Sequence, residues 1–390
     1  MHGSTERVSR RGFIAASALA VLPLLGCAPE RGSGRPGPVP APTRPTPGVE
    51  SAEPPAPAPR ALLLASLAHG DSVAVVDPAV DGEAGITRIR AGASPWGVGV
   101  APDGNRGYAA TAEGLAVIDL GAAERSALVQ YQHPAPRIGT GEYRAGGLGL
   151  AVSPDGSRVY VAVGTDEPRA YLEVFDAASG RFVGSARVGG RPFDVLVAPD
   201  GSWAATVDHD TFSVTVVDAR TLEAQEHRIA PFGTEGGLAS WEKPHYGAVD
   251  ADGTILLPVQ GKTVVRLDPR TGRTENALQS RANSHAHGTV RSDRLLVTVG
   301  TGAFGNATGE PNLSVLDLDS GVERIAPLPV PHETVAVWRD AEGEDWAAVA
   351  GGNTRDAGWD GITHVRVRDL RERRQPVAGY PQAVVAFAAR

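Results

Sequence analysis

Three stretches of this chain repeat one pattern. SPWGVGVAPDGNRGYAAT (94–111), GGLGLAVSPDGSRVYVAV (146–163) and RPFDVLVAPDGSWAATVD (191–208) each run an alternating apolar segment into Pro-Asp-Gly and out into a second apolar segment. Alternation at period two makes a half-buried strand. Asp-Gly between two such runs closes a hairpin, with both turn residues expected at positive φ. A third strand ends on aspartate: SVAVVDP (72–78), LAVIDL (115–120), YLEVFDAASG (171–180), SVTVVDARTL (213–222), TVVRLDPRTG (263–272) and LSVLDLDSG (313–321). A shorter, more polar fourth strand follows, as in RFVGSARV (181–188). The units start near Pro95, Gly147, Pro192, Pro244, His285, Pro331 and Pro381, six steps over 286 residues.

Four antiparallel strands at a period a little under fifty residues are the signature of a β-propeller blade. The expected fold is therefore all-β, with seven four-stranded blades over 61–390 and no helical period after residue 60. The region opens on a second-type strand, ALLLASL (61–67), and ends on a first-type strand, PQAVVAFA (381–388). The last strand is expected to complete the first blade, closing the ring and leaving no open sheet edge.

The segment ahead of the repeats reads differently. Ser9-Arg10-Arg11-x-Phe13-Ile14 precedes an apolar run from Ile14 to Leu25 and then Gly26-Cys27. The Arg10-Arg11 pair before a short apolar run is a twin-arginine export address, and the run is too short to span a bilayer as a helix. Leu24-Leu25-Gly26-Cys27 resembles the bacterial lipobox, which implies lipidation at Cys27 and a protein held at the periplasmic or cell surface by its lipid alone. An ordinary signal peptide cut nearby, or an uncleaved anchor, is the alternative. Residues 28–60, about a third proline, have almost nothing to bury and read as a stiff tether between a 1–27 leader and the propeller.

Composition removes several function classes. Cys27 is the only cysteine, so the folded region has no disulfide, no thiol nucleophile and no thiolate metal site. No CxxCH motif exists for haem attachment, and the six tryptophans do not recur at one blade position as a quinone cofactor enzyme would require. Net charge is −8 with no basic run after the leader, which argues against nucleic acid.

The PDG…VYVA…VxVxDxxTG pattern resembles the YVTN-type propeller repeats of exported bacterial proteins across 61–390. That resemblance implies the architecture; its members include lactonases, cofactor-bearing dehydrogenase subunits and plain binding proteins, so function must come from the site.

Strands A to D alternate in direction within a blade, which sends the D–A connections and the B–C loops to one face of the disc. His133, His245, His285, His287 and His332 fall at D–A connections or their junctions with strand A, and His69 and His209 in B–C loops. Counting back from the hairpins places His245, His332, Phe193 and Trp96 at one repeat position, and His287, Tyr246, Asp194 and Glu333 at the next. His245, His287 and His332 come from three neighbouring blades, so they are expected to converge at the channel with His285 nearby. Asp194, Glu333, Asp208 and Asp210 supply oxygen donors. Three imidazoles with a carboxylate or water suit zinc or copper. The competing reading is structural: a histidine on the first strand simply bonds a neighbouring carbonyl.

Two B–C loops on that face are long, GTGAFGNATGEPN (300–312) and GGNTRDAGWDG (351–361), and Asn306, Arg355, Asp356 and Trp359 are their candidate ligand-binding side chains. PFGTEGGLASWEKPH (231–245) adds Trp241 and Glu242, and the crossing YQHPAPRIGTGEYRAGG (131–147) adds Arg137, Glu142 and Arg144, the latter as readily a plain surface flap.

These features point to binding rather than catalysis: a metal ion or small ligand held at the channel mouth of an exported propeller. PHYG and AHGTV are similar to the histidine-bearing segments of periplasmic zinc-chaperone propellers, which implies metal handling. A lactonase-like hydrolase is the alternative, with a histidine or Glu333 as base and Arg355 at the oxyanion, although no nucleophile elbow is present. A propeller that meets another envelope protein through its long loops is the third reading.

Overall fold

The computed structural model describes residues 60–229, 244–259, 263–282, 286–302, 309–352 and 359–389. The calls on Arg10, Arg11, Cys27, Trp241, Glu242, His285, Asn306, Arg355 and Asp356 lie outside them.

Seven separate four-stranded antiparallel sheets make up the described fold, a seven-bladed propeller. The innermost strands are Pro381–Ala389, Val98–Val100, Gly146–Val152, Pro192–Val197, Ala248–Val249, Ala286–Ser292 and Thr334–Arg339, for blades one to seven in turn. The first blade joins the two ends of the region: Pro381–Ala389 pairs with Arg60–Leu67, from Arg60 opposite Ala389 to Leu67 opposite Pro381. Ser72–Val76 and Ile86–Arg90 complete that sheet, as the strand types in the sequence require. A 3₁₀ turn at Glu83–Gly85 is the helical element among the described residues, and none of these residues forms a helix long and apolar enough to cross a membrane.

The Pro-Asp-Gly hairpins close differently from the expectation. Gly104, Gly156 and Gly201 sit at φ of 73, 72 and 72°, but their aspartates keep negative φ. Proline in second position fixes φ near −65° and selects an ordinary type I turn, leaving only the fourth residue left-handed. Gly104 N accordingly donates to Ala101 O at 2.9 Å, and Gly156 N to Ser153 O at 2.8 Å. The turn aspartate caps the return strand. Asp155 Oδ1 accepts from Ser153 Oγ at 2.6 Å and Ser157 N at 3.0 Å, and these bonds hold its carboxyl down at about 2.

Blades are held together face to face. Leu63, Val76, Trp338 and Ile362 pack blade one on blade seven, and Leu196, Val207, Ile255 and Leu257 pack blade four on blade five. Near the axis the strands approach more closely than side chains allow. A Cβ at Gly97 would lie 2.5 Å from Leu148 O, and one at Gly149 2.7 Å from the Asp194 carbonyl carbon. Glycine at these positions lets the ring close around the channel.

Candidate functional site at the channel mouth

Three imidazoles from three consecutive blades form a row on the face carrying the D–A and B–C connections. His209 follows the second strand of blade four, Trp203–Asp208, and its N–H donates to Arg191 O at 3.1 Å. His245 follows the bridge between Pro244 and Val259, and His287 opens the first strand of blade six opposite Val299. Ring centroids lie 4.6 Å apart for His209 and His245, and 3.8 Å apart for His245 and His287. Phe193 stacks on His245 at 5.9 Å and 7°, and meets His209 edge-on at 5.2 Å. All three histidines are buried.

Asp210 fixes the outer end of this row. Its Oδ1 lies 2.6 Å from His209 Nδ1, and its Oδ2 accepts from Arg191 Nε at 2.9 Å. Burial acts to raise the Asp210 carboxyl, but the bond with His209 and the nearby positive charges outweigh it and hold it below the usual range. Arg191 in turn lies 4.6 Å over the ring of Tyr143. His209 was expected as a separate loop ligand; Asp210 turns it onto His245 instead.

His332 is placed differently from its expected role. Its Nδ1 faces Gly351 O at 3.3 Å and its Nε2 faces Thr363 Oγ1 at 2.8 Å, both within blade seven. A neutral ring with its proton on Nδ1 satisfies both partners. Burial pushes its pKa down to about 4, with the Gly351 bond opposing. This is the structural alternative raised for first-strand histidines.

The repeat alignment also needs one correction. Trp96 N donates to Ala110 O as Glu333 N donates to Ala350 O, both at 2.9 Å, so Trp96 shares a layer with Glu333 rather than with His332. Bulges at Phe193 and at Gly288 shift the count by one residue. Trp96, Leu148, Phe193 and Tyr246 cluster at the mouth, with His287 against Tyr246. Gln382 Nε2 donates to Glu333 Oε2 at 2.9 Å. Burial, then the charge of Glu333, push the Tyr246 hydroxyl well above its ordinary range, with Trp96 and Gln382 as polar neighbours.

Asp194 lies one layer further in and, among the described residues, is the one carboxylate lining a channel cavity of about 190 Å3. Its oxygens accept from Val195 N and Gly247 N, each at 2.9 Å. Burial raises its carboxyl to about 7, against both bonds. Asp208 is spent on Thr215 Oγ1 at 2.6 Å and on Ser213. Elsewhere on the face, exposed His69 stacks on Tyr380 at 4.4 Å, and half-buried Trp359 lies 6.4 Å from His332. His133 stacks on Tyr171 at 3.6 Å with Nδ1 3.1 Å from Glu173.

Among the described residues, no three His, Cys, Asp or Glu side chains already converge as a metal-binding group. The row is a set of imidazoles in contact, not a preset coordination shell. Sequence reasoning placed Phe193 beside His245 by repeat position but missed Tyr143, whose ring meets Phe193 edge-on and which no repeat position marks.

No family model matches the chain, and no curated protein matches it either. Among solved structures, hydrazine synthase from Kuenenia stuttgartiensis is similar over 76% of this chain and 92% of that chain, with a TM-score of 0.56 and 15% identity. Similarity at that identity carries the propeller fold and no activity.

Proposed function

We propose that this chain is an exported, lipid-tethered propeller of the YVTN-repeat type that binds a divalent transition metal, zinc or copper, at its channel mouth. The observation that carries the reading is the contact row His209–His245–His287, with rings 4.6 and 3.8 Å apart. Two nitrogens bound to one tetrahedral zinc stand about 3.3 Å apart, given Zn–N bonds of about 2.0–2.1 Å. Asp210 lies against His209 Nδ1, which would leave Nε2 as the metal-facing nitrogen with a carboxylate behind the ring. The leader's Arg10-Arg11 pair and Cys27 support export and tethering.

Zinc titration of the metal-stripped chain tests this, beside His245→Ala/His287→Ala. Near-stoichiometric binding below micromolar Kd that the double variant loses supports the reading. Equal or absent binding in both, with the fold intact, removes it.

A further inference from the structure

Arg144 belongs to the long connection leading into blade three, and its guanidinium is buried, with the whole residue 5% exposed. Its Nη2 donates to Ser94 O at 2.7 Å and Gly147 O at 2.6 Å, and its Nη1 to Ala145 O at 3.0 Å. These partners are neutral carbonyls. The Nε is buried with no hydrogen-bond partner, and among the described residues no carboxylate forms an ion pair with this arginine. Burial draws its pKa down to about 10, opposed by Tyr131, so it stays charged at neutral pH. Burying a cation without a counter-ion is costly, and a donor left unmade adds to that cost.

Against Arg144 lies a cavity of about 80 Å3 between blades three and four, on the same face as the imidazole row. Arg169, Arg191 and Thr165 also line it, as do two carboxylates, Asp210 paired with Arg191 and Glu167 facing Arg187. Liquid water occupies about 30 Å3 per molecule, so the space, roughly two to three water volumes, suits a carboxylate the size of acetate or the charged end of something longer. With both Nη2 hydrogens spent on Ser94 and Gly147, Arg144 offers its Nε–H as a charge-assisted donor to a carboxylate oxygen.

We propose that this cavity is a carboxylate-binding subsite, with Arg144 as the buried counter-charge and Arg191 as the second cation. It would take a small monocarboxylate, or the carboxylate group of a small organic acid. The subsite shares the Arg191–Asp210 pair with the imidazole row, but its test on the metal-stripped chain does not depend on the metal.

The test is calorimetric titration of the metal-stripped full chain with sodium acetate, against sodium chloride at equal ionic strength. Saturable acetate binding in the millimolar range or tighter, with a rise in Tm that chloride does not give, is expected. Arg191→Gln should weaken acetate at least fivefold, and Arg144→Met should abolish it. Acetate acting no differently from chloride overturns the proposal. So does an unchanged acetate affinity in Arg191→Gln, which decides the matter alone should Arg144→Met fail to fold.

Discussion

The His245 ring lies 3.8 Å from that of His287, one blade further round, while His332, one blade beyond, turns to Thr363 of its own sheet. Two histidines at equivalent repeat positions, His245 and His332, thus have different neighbours. The first shares its surface with Phe193 and His209, and the second spends both nitrogens on blade seven.

This asymmetry separates binding from stability. Single His245→Ala or His287→Ala substitutions should weaken zinc at least tenfold in a competition titration. His332→Ala should leave zinc affinity within twofold and lower stability by about 2 kcal/mol in urea, since it strands Thr363 Oγ1 and the Gly351 carbonyl.

Opposite pH slopes should be separable by variants. Asp194 is raised to about 7 from 3.8, so between those values the native state holds more protons than the unfolded chain, and this carboxyl's contribution to stability falls as pH rises. His332 is lowered to about 4 from 6.5, so the unfolded chain holds the extra proton, and its contribution falls as pH drops below 6.5. Asp194→Asn should raise stability at pH 8 relative to pH 4, by something on the order of 1–3 kcal/mol. His332→Asn should instead flatten the acid limb between pH 6.5 and 4. Urea midpoints across that range read both, and matching slopes in the two variants would contradict the assignment.

The axis glycines should tolerate little. Gly288 sits at φ +59°, where a Cβ would strike the Glu333 carbonyl and approach Thr334 Cα to 3.0 Å. Gly321 has a similar φ of +68° with nothing within 4 Å. Gly321→Ala should cost about 1–2 kcal/mol from backbone conformation alone. Gly288→Ala should cost more than twice that, measured by chemical denaturation, because blade seven must move as well.

Ring closure should be indispensable. Ending the chain after Tyr380 removes the strand that covers Leu62 to Leu67 and exposes an apolar sheet edge. Size-exclusion chromatography should show aggregate rather than monomer, and a folded monomer would mean that blade one stands without its innermost strand.

What was legible in the sequence was whatever repeats. Pro-Asp-Gly turns, aspartate-ended third strands and the divided first blade are local patterns set by backbone chemistry, and they recur often enough to count. They gave seven blades, the closure at Pro381–Ala389 and the face on which most histidines lie. The meeting of particular side chains was not legible. Bulges at Phe193 and Gly288 each insert one residue that periodicity cannot register, and a one-residue shift moves a side chain to another layer. Which way an imidazole turns depends on acceptors brought by other strands: Asp210 beside His209, Thr363 beside His332. Arg144 read as part of a surface flap, and only packing against Ser94 and Gly147 buried it. Local sequence determined the blades and their order; the contacts between blades decided which of its polar residues share a site, because those contacts join residues about forty positions apart that no local pattern couples.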